Sequence, residues 1–239
     1  MLVSLLQTYL KKYYEKNTVL DDFLFCMSEE SGVDIISWSK QWLETTGVNT
    51  IKPNINGYDC IVQQIPSPTN NQLRDHAILY ENYSLENNEP TIVDEGKVFI
   101  KGETSQFGLN AKGKFLLLNA KDHDYVKVFF EERDIEFIAN HVSSIKDRFT
   151  RRIIWGNLWQ MVRDNALSPL KFLEMIETHL TLEKDITVCQ GQLVAKAIST
   201  ITTFLTQNNR KLWTDRLFSL AFNTLENGGN VENQMTWFD

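Results

Sequence analysis

The sequence has few of the residues that form disulfides, span membranes or build metal sites. It contains only three cysteines, Cys26, Cys60 and Cys189, which are odd in number and far apart. This pattern implies no disulfide framework and favours a reducing compartment. Long apolar runs are missing too: Lys11 and Lys12 interrupt the apolar start, and no run approaches the roughly 20 residues that span a bilayer. We therefore expect a cytoplasmic protein without a membrane partner.

Histidine is also scarce, and its positions exclude the common zinc motifs. None of His76, His123, His141 and His179 has a histidine or cysteine three or four residues away. That spacing is what places two ligands on one helix face, and the sequence His-Glu-x-x-His is absent. The nearest cluster, Asp-His-Asp at residues 122–124, lies between two predicted strands, so we interpret it as a solvated turn. We assign no metal ligand in this chain.

Nucleophile and phosphate motifs are missing as well. The sequence has no Gly-x-Ser-x-Gly elbow, and its 11 glycines fall in predicted turns and caps rather than in a phosphate loop. Cys26 and Cys189 lie on apolar faces of predicted helices, where a free cysteine usually acts as a small core residue. We assign no catalytic or cofactor-binding residue and expect no cofactor in this chain.

One helical segment combines basic and aromatic residues. Arg148, Arg151 and Arg152 precede Trp155 and Trp159, which are four residues apart. Such a combination can bind nucleic acid. However, the net charge is −7 and the pI is about 5.2, which opposes a large phosphate-binding surface. We favour a solvated basic face opposite a buried tryptophan face, and we expect no nucleic-acid partner.

A second charged group is acidic. It consists of Glu174, Glu177, Glu183 and Asp185. Charged residues at helix ends and in turns are usually solvated, so we interpret these four as surface residues rather than as a binding patch.

The pattern of apolar residues divides the chain into three blocks. Residues 1–51 and 132–239 show helical spacing, whereas residues 52–131 contain short apolar stretches between turn residues. The sequence therefore predicts an α+β multidomain protein: a helical block, a small antiparallel β-sandwich, and an α-helical, solenoid-like block.

The first block is predicted to contain three helices. Asn17 and Thr18 are candidate caps of the second helix, and Gly32 is its left-handed stop. Asp34 is the predicted cap of the third helix. The predicted inner face of this third helix consists of Ile35, Trp38 and Trp42.

The other two blocks give less regular patterns. Parallel strands would need intervening helices, and none fits the second block, so we expect it to be antiparallel throughout. Its predicted strands are residues 58–65, 76–84, 97–101, 115–119 and 125–130. The third block has predicted helices at 134–142, 148–163, 186–205 and 211–225. Another helix is predicted to begin at Ser168-Pro169, with serine as the cap and proline at the first helical position. Gly228-Gly229 is predicted to end the helix at 211–225, and a new amphipathic helix is predicted at 231–239.

Several stretches resemble zinc aminopeptidases of the aminopeptidase N family, in the right order and at the right spacing. Residues 20–53 resemble the end of that family's catalytic domain, and WLETTGVN at 42–49 is closest to its bacterial subgroup. LRDH at 73–76 resembles the first central strand of the family's β-domain. Residues 116–134 (LLLNAKDHDYVKVFFEERD) are similar to the strand pair ahead of its helical domain. Residues 153–176 (IIWGNLWQMVRDNALSPLKFLEMI) resemble the first helical pair of that domain.

The resemblance implies a domain organisation and an activity. Residues 1–51 would be the helical end of a thermolysin-like catalytic domain, 52–131 the β-sandwich, and 132–239 a truncated helical domain. In the family, zinc polarises the scissile carbonyl and activates water. The histidines, glutamates and tyrosine of that site precede residue 1 in the family's order, so none is carried over to this chain.

Two functions are compatible with these patterns and with the resemblance. In the first, the chain is the non-catalytic C-terminal part of a zinc metalloaminopeptidase that removes N-terminal residues from peptides, and it serves as scaffold and active-site cover. Its partner would be the catalytic half, in cis or in trans. The alternative is a stand-alone subunit that binds protein or peptide. An apolar face of the first helix motivates the alternative; it comprises Leu2, Leu5, Leu6 and Tyr9. We expect the chain to be inactive alone.

Overall fold

The computed structural model describes residues 2–185 and 188–226. Helices, strands and helices follow one another, which confirms the α+β class predicted from the sequence. No helix in the described ranges is long and apolar enough to cross a bilayer. The first helices are α1 (Leu2–Lys12), α2 (Leu20–Ser31) and α3 (Ile35–Leu43).

Two of the predicted helix boundaries in this first group are confirmed. Gly32 has a φ of 67°, and its N–H donates to the Ser28 carbonyl at 3.0 Å. This is the left-handed stop that ends α2. The Asp34 carboxylate accepts a hydrogen bond from the Ser37 N–H at 2.9 Å and caps α3.

The predicted caps of α2 are wrong. The helix begins at Leu20, and the Asp22 carboxylate accepts the Val19 N–H at 3.0 Å. An acidic side chain inside the first turn therefore binds back to the residue that precedes the helix, and neither Asn17 nor Thr18 occupies the capping position, which is Val19. The Thr18 hydroxyl instead forms a hydrogen bond of 2.6 Å with the Tyr9 hydroxyl and links α1 to the start of α2.

The predicted inner face of α3 is also wrong in part. Trp38 is 42% exposed, and Ser39 is the buried residue of this helix. Ile35 and Trp42 are half-buried. Helical spacing marks an apolar face correctly, but whether that face is buried depends on what packs against it.

The strands form two sheets that touch each other. Their order is β5-β2-β1-β7 in one sheet and β4-β3-β6 in the other. The rings of Tyr80 in β3 and Phe107 in β5 lie 5.2 Å apart and join the two sheets. The strand bounds are β1 (Thr50–Asn56), β2 (Asp59–Ile65), β3 (His76–Glu86), β4 (Glu89–Ile100), β5 (Thr104–Gly108), β6 (Phe115–Leu118) and β7 (Lys127–Val128).

The expectation of an antiparallel arrangement throughout is wrong at one pair. β1 and β7 are parallel, with Thr50 opposite Lys127 and Ile51 opposite Val128. β1 contains Pro53, which lacks an N–H donor. β7 pairs with only the first two residues of β1, so Pro53 lies where one side of the strand is unpaired, as proline requires.

The hairpin of β3 and β4 is longer than the sequence predicts. Asn87 and Asn88 both have positive φ angles, 51° and 65°, and form its tight turn. β4 therefore begins at Glu89, ahead of the predicted start at 97. The acidic residues Asp94 and Glu95 interrupt the alternation of apolar and polar residues by which a strand is recognised in the sequence. The length of β4 is set instead by its pairing with β3.

The second group of helices shares a core with the sheets. All four residues of β6 are buried, and the buried apolar residues form one cluster that runs from Ile51 to Trp213. Trp155 is buried against Phe172, with ring centroids 6.1 Å apart. The helix bounds are α4 (Glu132–His141), α5 (Arg148–Arg163), α6 (Pro169–His179), α7 (Ala195–Phe204) and α8 (Gln207–Glu226).

Some predictions in this group need correction. Pro169 opens α6 as predicted, but the Ser168 side chain makes no cap hydrogen bond. The helix predicted at 186–205 is helical throughout its described part, but it is not uniformly α-helical: a π-helical turn (Cys189–Val194) leads directly into α7. The predictions for residues 186 and 187, Gly228-Gly229 and residues 231–239 lie outside the described residues.

Candidate functional site

A cleft of roughly 470 Å³ lies between α5 and the turn that joins β6 to β7. One wall is formed by Asp122 and residues 124–127. The other wall is one face of α5, because its members recur every three or four residues. The members on α5 are Phe149, Arg152, Ile153, Gly156, Asn157 and Gln160, and Val48 and Gln192 complete the lining.

The turn between β6 and β7 is held by local hydrogen bonds. Asn119, Lys121 and Asp122 have positive φ angles of 55°, 61° and 50°. The Asn119 side chain accepts the Asp124 N–H at 2.9 Å and donates to the Asp124 carbonyl at 2.8 Å. These two bonds close the turn and fix the backbone of the acidic residues at the cleft.

Asp124 anchors this turn to the sheet. Its carboxylate accepts the Ala77 N–H at 2.9 Å and lies 3.2 Å from His76 Nδ1. Burial alone would raise the pKa of Asp124, but hydrogen bonds from His76, Ala77 and Tyr125 outweigh burial and hold it below its ordinary value. The solvated-turn interpretation is therefore correct for Asp122 and His123, which are exposed, and wrong for Asp124.

His76 connects this turn to α3. Its side chain is fully buried, and its ring meets the Trp42 ring edge-on at 5.3 Å. His76 Nε2 and Trp42 Nε1 have no hydrogen-bond partner within the described ranges. His76 is thus a core residue that pairs with one carboxylate, and its surroundings are aromatic rather than those of a metal ligand.

Arg74, two residues earlier, ties the end of α3 to the sheet. Its guanidinium lies 5.3 Å from the Trp42 ring centroid and donates to the Gln41 carbonyl at 2.9 Å. It also donates to the Thr45 hydroxyl at 2.6 Å and the Thr46 carbonyl at 3.1 Å. Arginine suits this position because its planar donors reach several acceptors at the C-terminal end of a helix.

Two of the three arginines of the predicted basic face are paired. Arg151 is buried and binds both carboxylate oxygens of Glu183 at 2.7 Å, and the hydrogen bonds from Arg151 to Glu183 raise the pKa of Arg151. Arg148 lies 3.1 Å from Asp185. The solvated-face interpretation is therefore wrong for Arg151. Trp155 is buried and Trp159 half-buried, so the tryptophan face is confirmed as core.

The predicted acidic group is distributed among these same pairs. Glu183 and Asp185 bind the arginines of α5, and Glu177 binds Arg216 of α8, with one Oε1 to Nε distance of 2.9 Å. Glu174 is exposed, as expected. The surface interpretation is thus wrong for Glu183, which is buried. The basic and acidic groups largely neutralise each other, which removes the charge that a polyanion would need.

Arg152 is the remaining arginine and lines the cleft. It is exposed and has no hydrogen-bond or ion-pair partner among the residues that the structure describes. Lys196 of α7 is half-buried near it. Burial, reinforced by the positive charge of Arg152, lowers the pKa of Lys196 to about 8. This part of the cleft is therefore cationic.

Two amide side chains of the cleft were not predicted. Asn157 Nδ2 and Gln192 Oε1 are buried atoms without a hydrogen-bond partner in the described part of the chain. The spacing of Asn157 from Ile153 along α5, four residues, was the available signal, whereas Gln192 reaches the cleft only through the π-helical turn. An unpaired donor and an unpaired acceptor in one cleft can bind a ligand that carries both an acceptor and a donor.

The remaining histidines and the cysteines have structural surroundings. His179 is buried, its two ring nitrogens lie 2.8 Å from the Ser143 hydroxyl and 2.9 Å from the Ala139 carbonyl, and burial lowers its pKa. Burial also lowers the pKa of His141. Cys26 is buried as predicted, and burial raises the pKa of Cys60 to about 12. The side chain of Cys189 lies outside the described residues.

Comparison with known proteins assigns the chain to the family of ERAP1-like C-terminal domains. Residues 115–237, which include both walls of the cleft, match the family of ERAP1-like C-terminal domains. The aminopeptidase N of Streptomyces lividans is 30% identical over 204 residues. That match covers 77% of this chain and 24% of the relative, so the chain spans about a quarter of the relative's length.

A solved structure shares the fold. Legionella pneumophila aminopeptidase A, crystallised in complex with aspartic acid, superposes with a TM-score of 0.57 over 95% of this chain and 29% of that one. The sequence identity is 13%, so this likeness concerns the fold alone.

Proposed function

Because this chain belongs to the family of ERAP1-like C-terminal domains and corresponds to a C-terminal portion of aminopeptidase N enzymes, we propose that it is the scaffold and active-site cover of a zinc metalloaminopeptidase. The chain itself is non-catalytic in this proposal, and the protein is cytoplasmic. Its three blocks are the helical end of the catalytic domain (1–51), a β-sandwich (52–131) and part of a helical domain (132–239).

The observation that carries this proposal is the apolar surface of the first three helices. Val3 and Leu10 of α1 are 68% and 64% exposed, and Phe25 of α2 is 48% exposed. Such a concentration of exposed apolar side chains on short consecutive helices favours a protein partner. The partner that we propose is the catalytic region. Further exposed apolar residues of these helices are Leu6, Leu20, Ile36, Trp38 and Leu43, and Tyr14 in the turn after α1 is exposed as well.

Zinc belongs to the partner in this proposal. Among residues 2–185 and 188–226, no group of three or more histidine, cysteine, aspartate or glutamate side chains could hold a metal ion. In this proposal, the part played by this chain is to support and enclose the catalytic region. In the catalytic region, zinc would supply Lewis-acid activation of the scissile carbonyl and of water.

The first experiment is the intact mass of the native polypeptide in extract of the source cells, detected with an antibody against this region. We expect a species several times heavier than the 27.8 kDa of this chain. The recombinant chain serves as the size standard. A native species at 27.8 kDa contradicts the proposal of a catalytic region in cis.

A second experiment tests the non-catalytic role. The purified chain, supplied with zinc, is incubated with alanine p-nitroanilide, and a chelator-treated sample serves as the blank. We expect no release above the blank. Zinc-dependent release would overturn the non-catalytic assignment.

The alternative function is a stand-alone subunit that binds a protein or peptide. The same exposed apolar residues of α1 to α3 and the cleft beside α5 favour it. Of the apolar face predicted for the first helix, Leu6 is exposed, but Leu5 is buried. A native species at 27.8 kDa that copurifies with a separate catalytic protein would select this alternative. A monodisperse monomer that binds no apolar dye would count against a partner on α1 to α3.

A further inference from the structure

A second cavity, of roughly 330 Å³, lies on the hairpin of β3 and β4 where the β6–β7 turn packs beside it. Its lining consists of residues 79–81 of β3, residues 95–97 of β4, and Ala120 and Lys121 of the turn. Side chains of a strand alternate between the two faces of a sheet. Because Tyr80 contacts the other sheet through Phe107, its neighbours in β3 lie on the outer face, and the cavity is therefore on that face.

Two carboxylates of this cavity face each other. Glu81 and Glu95 are directly opposite in the antiparallel pair of β3 and β4, where like charges repel. Glu81 is 4% exposed, and its Oε2 accepts a hydrogen bond of 2.6 Å from the Tyr83 hydroxyl, its one hydrogen-bond partner among residues 2–185 and 188–226. Glu95 is exposed. Neither carboxylate forms an ion pair within those ranges, so a cation placed between them would remove the repulsion.

Two ammonium groups line the same cavity. Lys97 follows Glu95 by two residues, so its side chain is on the same face of β4. Its Nζ lies 5.6 Å from the Phe99 ring centroid. Lys121 is exposed and belongs to the β6–β7 turn, where its φ is 61°. Both lysines lack an ion-pair partner in the part of the chain that the structure describes, so the cavity presents unpaired charges of both signs.

We propose that this cavity binds a free α-amino acid as its zwitterion. Glu81 and Glu95 bind the ammonium, and Lys97 and Lys121 bind the carboxylate. A ligand with one charge satisfies only half of the cavity, whereas a zwitterion pairs with both halves through charge-assisted hydrogen bonds. The charges of the cavity carry this proposal, which is independent of the scaffold role proposed above.

The size of the cavity and its uncharged lining restrict the ligand further. Sites for small molecules span about 300–1,000 Å³, and this cavity is at the lower end of that range, which favours one amino acid over a longer peptide. Leu79, Tyr80 and Ala120 supply apolar lining. Contact with such a surface favours an aliphatic side chain, and leucine is therefore the probe.

The test is calorimetric titration of the full chain with L-leucine at about pH 7, where both of its charged groups are ionised. N-acetyl-L-leucine, which lacks the ammonium, and L-leucinamide, which lacks the carboxylate, are the comparison ligands. We expect leucine to bind about tenfold or more tightly than either of them, because each loses charge-assisted hydrogen bonds.

Two variants of β4 assign the two halves of the cavity. Glu95→Gln is expected to reduce the preference for leucine over N-acetylleucine and to keep the preference over leucinamide. Lys97→Gln is expected to do the reverse. The control is Glu103→Gln, which removes a negative charge from an exposed residue outside the lining and should keep both preferences. Circular dichroism of each variant checks its folding.

Several outcomes would overturn the inference. Equal affinity of the unmodified chain for leucine and N-acetylleucine removes the ammonium contact, and equal affinity for leucine and leucinamide removes the carboxylate contact, whether or not the variants fold. Unchanged preferences in folded Glu95→Gln and Lys97→Gln place the ligand elsewhere. No heat of binding at millimolar leucine removes the site altogether. None of these results bears on the scaffold role, which the mass of the native polypeptide tests separately.

Discussion

Arg151 and Glu183 form a buried ion pair with two hydrogen bonds of 2.7 Å, Nε to Oε2 and Nη2 to Oε1. The remaining groups are satisfied as well: Arg151 Nη1 donates to the Ile145 carbonyl at 2.7 Å, and Glu183 Oε1 accepts the Asp185 N–H at 2.9 Å. The pair joins α5 to the segment after α6. It shows that the basic and acidic groups of the sequence are partners rather than two separate binding surfaces.

Breaking this pair should destabilise the protein strongly. We expect Glu183→Gln to lower the free energy of unfolding by about 3–5 kcal/mol, because Arg151 is left buried without its counter-charge. Urea unfolding measures the change. The control is Arg148→Gln, whose pair with Asp185 is exposed on the arginine side and should cost under about 1 kcal/mol. Equal effects of the two variants would show that burial does not set the contribution of these pairs.

Arg74 should hold the end of α3 against the sheet. We expect Arg74→Met to lower the free energy of unfolding by about 2–4 kcal/mol, because the carbonyls of Gln41 and Thr46 lose charged donors. Hydrogen exchange should rise first in α3. Lys40→Met, on the exposed side of the same helix, is the control and should change little. Unchanged protection of α3 in Arg74→Met would contradict the anchoring role.

Asp134 should make stability fall as pH rises. Burial raises its pKa to about 6 against the partial opposing effect of Arg133 and of hydrogen bonds from the Glu131 and Leu116 N–H groups. The folded state therefore holds the proton more tightly than the unfolded state. Its stabilising contribution is present below about pH 4 and is lost as pH rises through about 6.

The measurement is the free energy of unfolding of the unmodified chain and of Asp134→Asn between pH 4 and 7. The variant cannot titrate, so we expect the difference between the two curves to change by up to about 3 kcal/mol across this window. A constant difference would show that the pKa of Asp134 is the same in the folded and unfolded states.

Asp124 should give the opposite pH dependence. Its folded-state pKa lies below the ordinary value, because hydrogen bonds from His76, Ala77 and Tyr125 outweigh burial. The carboxylate therefore stabilises the fold above about pH 4, and this contribution disappears as pH falls through the folded-state pKa. We expect Asp124→Asn to be destabilised at pH 7 and to approach the unmodified chain at acid pH in the same unfolding assay. A gap that widens towards acid pH would contradict this sign.

Gly156 should be replaceable by alanine with a gain in stability. It lies inside α5, and a Cβ would meet nothing within 4 Å. We expect Gly156→Ala to raise the free energy of unfolding by about 0.5–1 kcal/mol, because glycine is a poor helix former. Gly47→Ala is the matched comparison and should lower the free energy of unfolding, because the φ of Gly47 is 81° and a Cβ would lie 2.2 Å from the Ser67 hydroxyl oxygen. Thermal melts of both variants should move in opposite directions.

The helix boundaries depend on local chemistry, which explains which of them were predicted. Gly32 and Asp34 act on neighbouring backbone groups, so the sequence alone identifies their roles. Thr18 does not cap α2: its hydroxyl binds Tyr9, nine residues away, and the helix begins one residue later than a Thr18 cap requires, with Val19 at the capping position and its N–H bound by Asp22. When a polar side chain can bind either a neighbouring backbone group or a distant residue, the tertiary packing decides between them, so the local sequence does not predict its partner.

The sequence by itself determined the class of fold, the order of its elements and the resemblance to aminopeptidases. Periodicity and turn residues are local, and a resemblance needs only residues in order. It could not determine the strand partners of β1, the burial of Trp38 or the pairing of Arg151 with Glu183. These depend on contacts between residues that are far apart in the chain.

The candidate cleft was decided only by the tertiary structure. Asp122 and Arg152 were both noted in the sequence, but as members of separate, solvated groups. The closing of the β6–β7 turn by Asn119 and the packing of α5 beside it bring these residues to one cleft, and the π-helical turn adds Gln192. The sequence shows which residues are charged or polar. Which of them remain unpaired, and can therefore bind a ligand, is decided only when the chain folds.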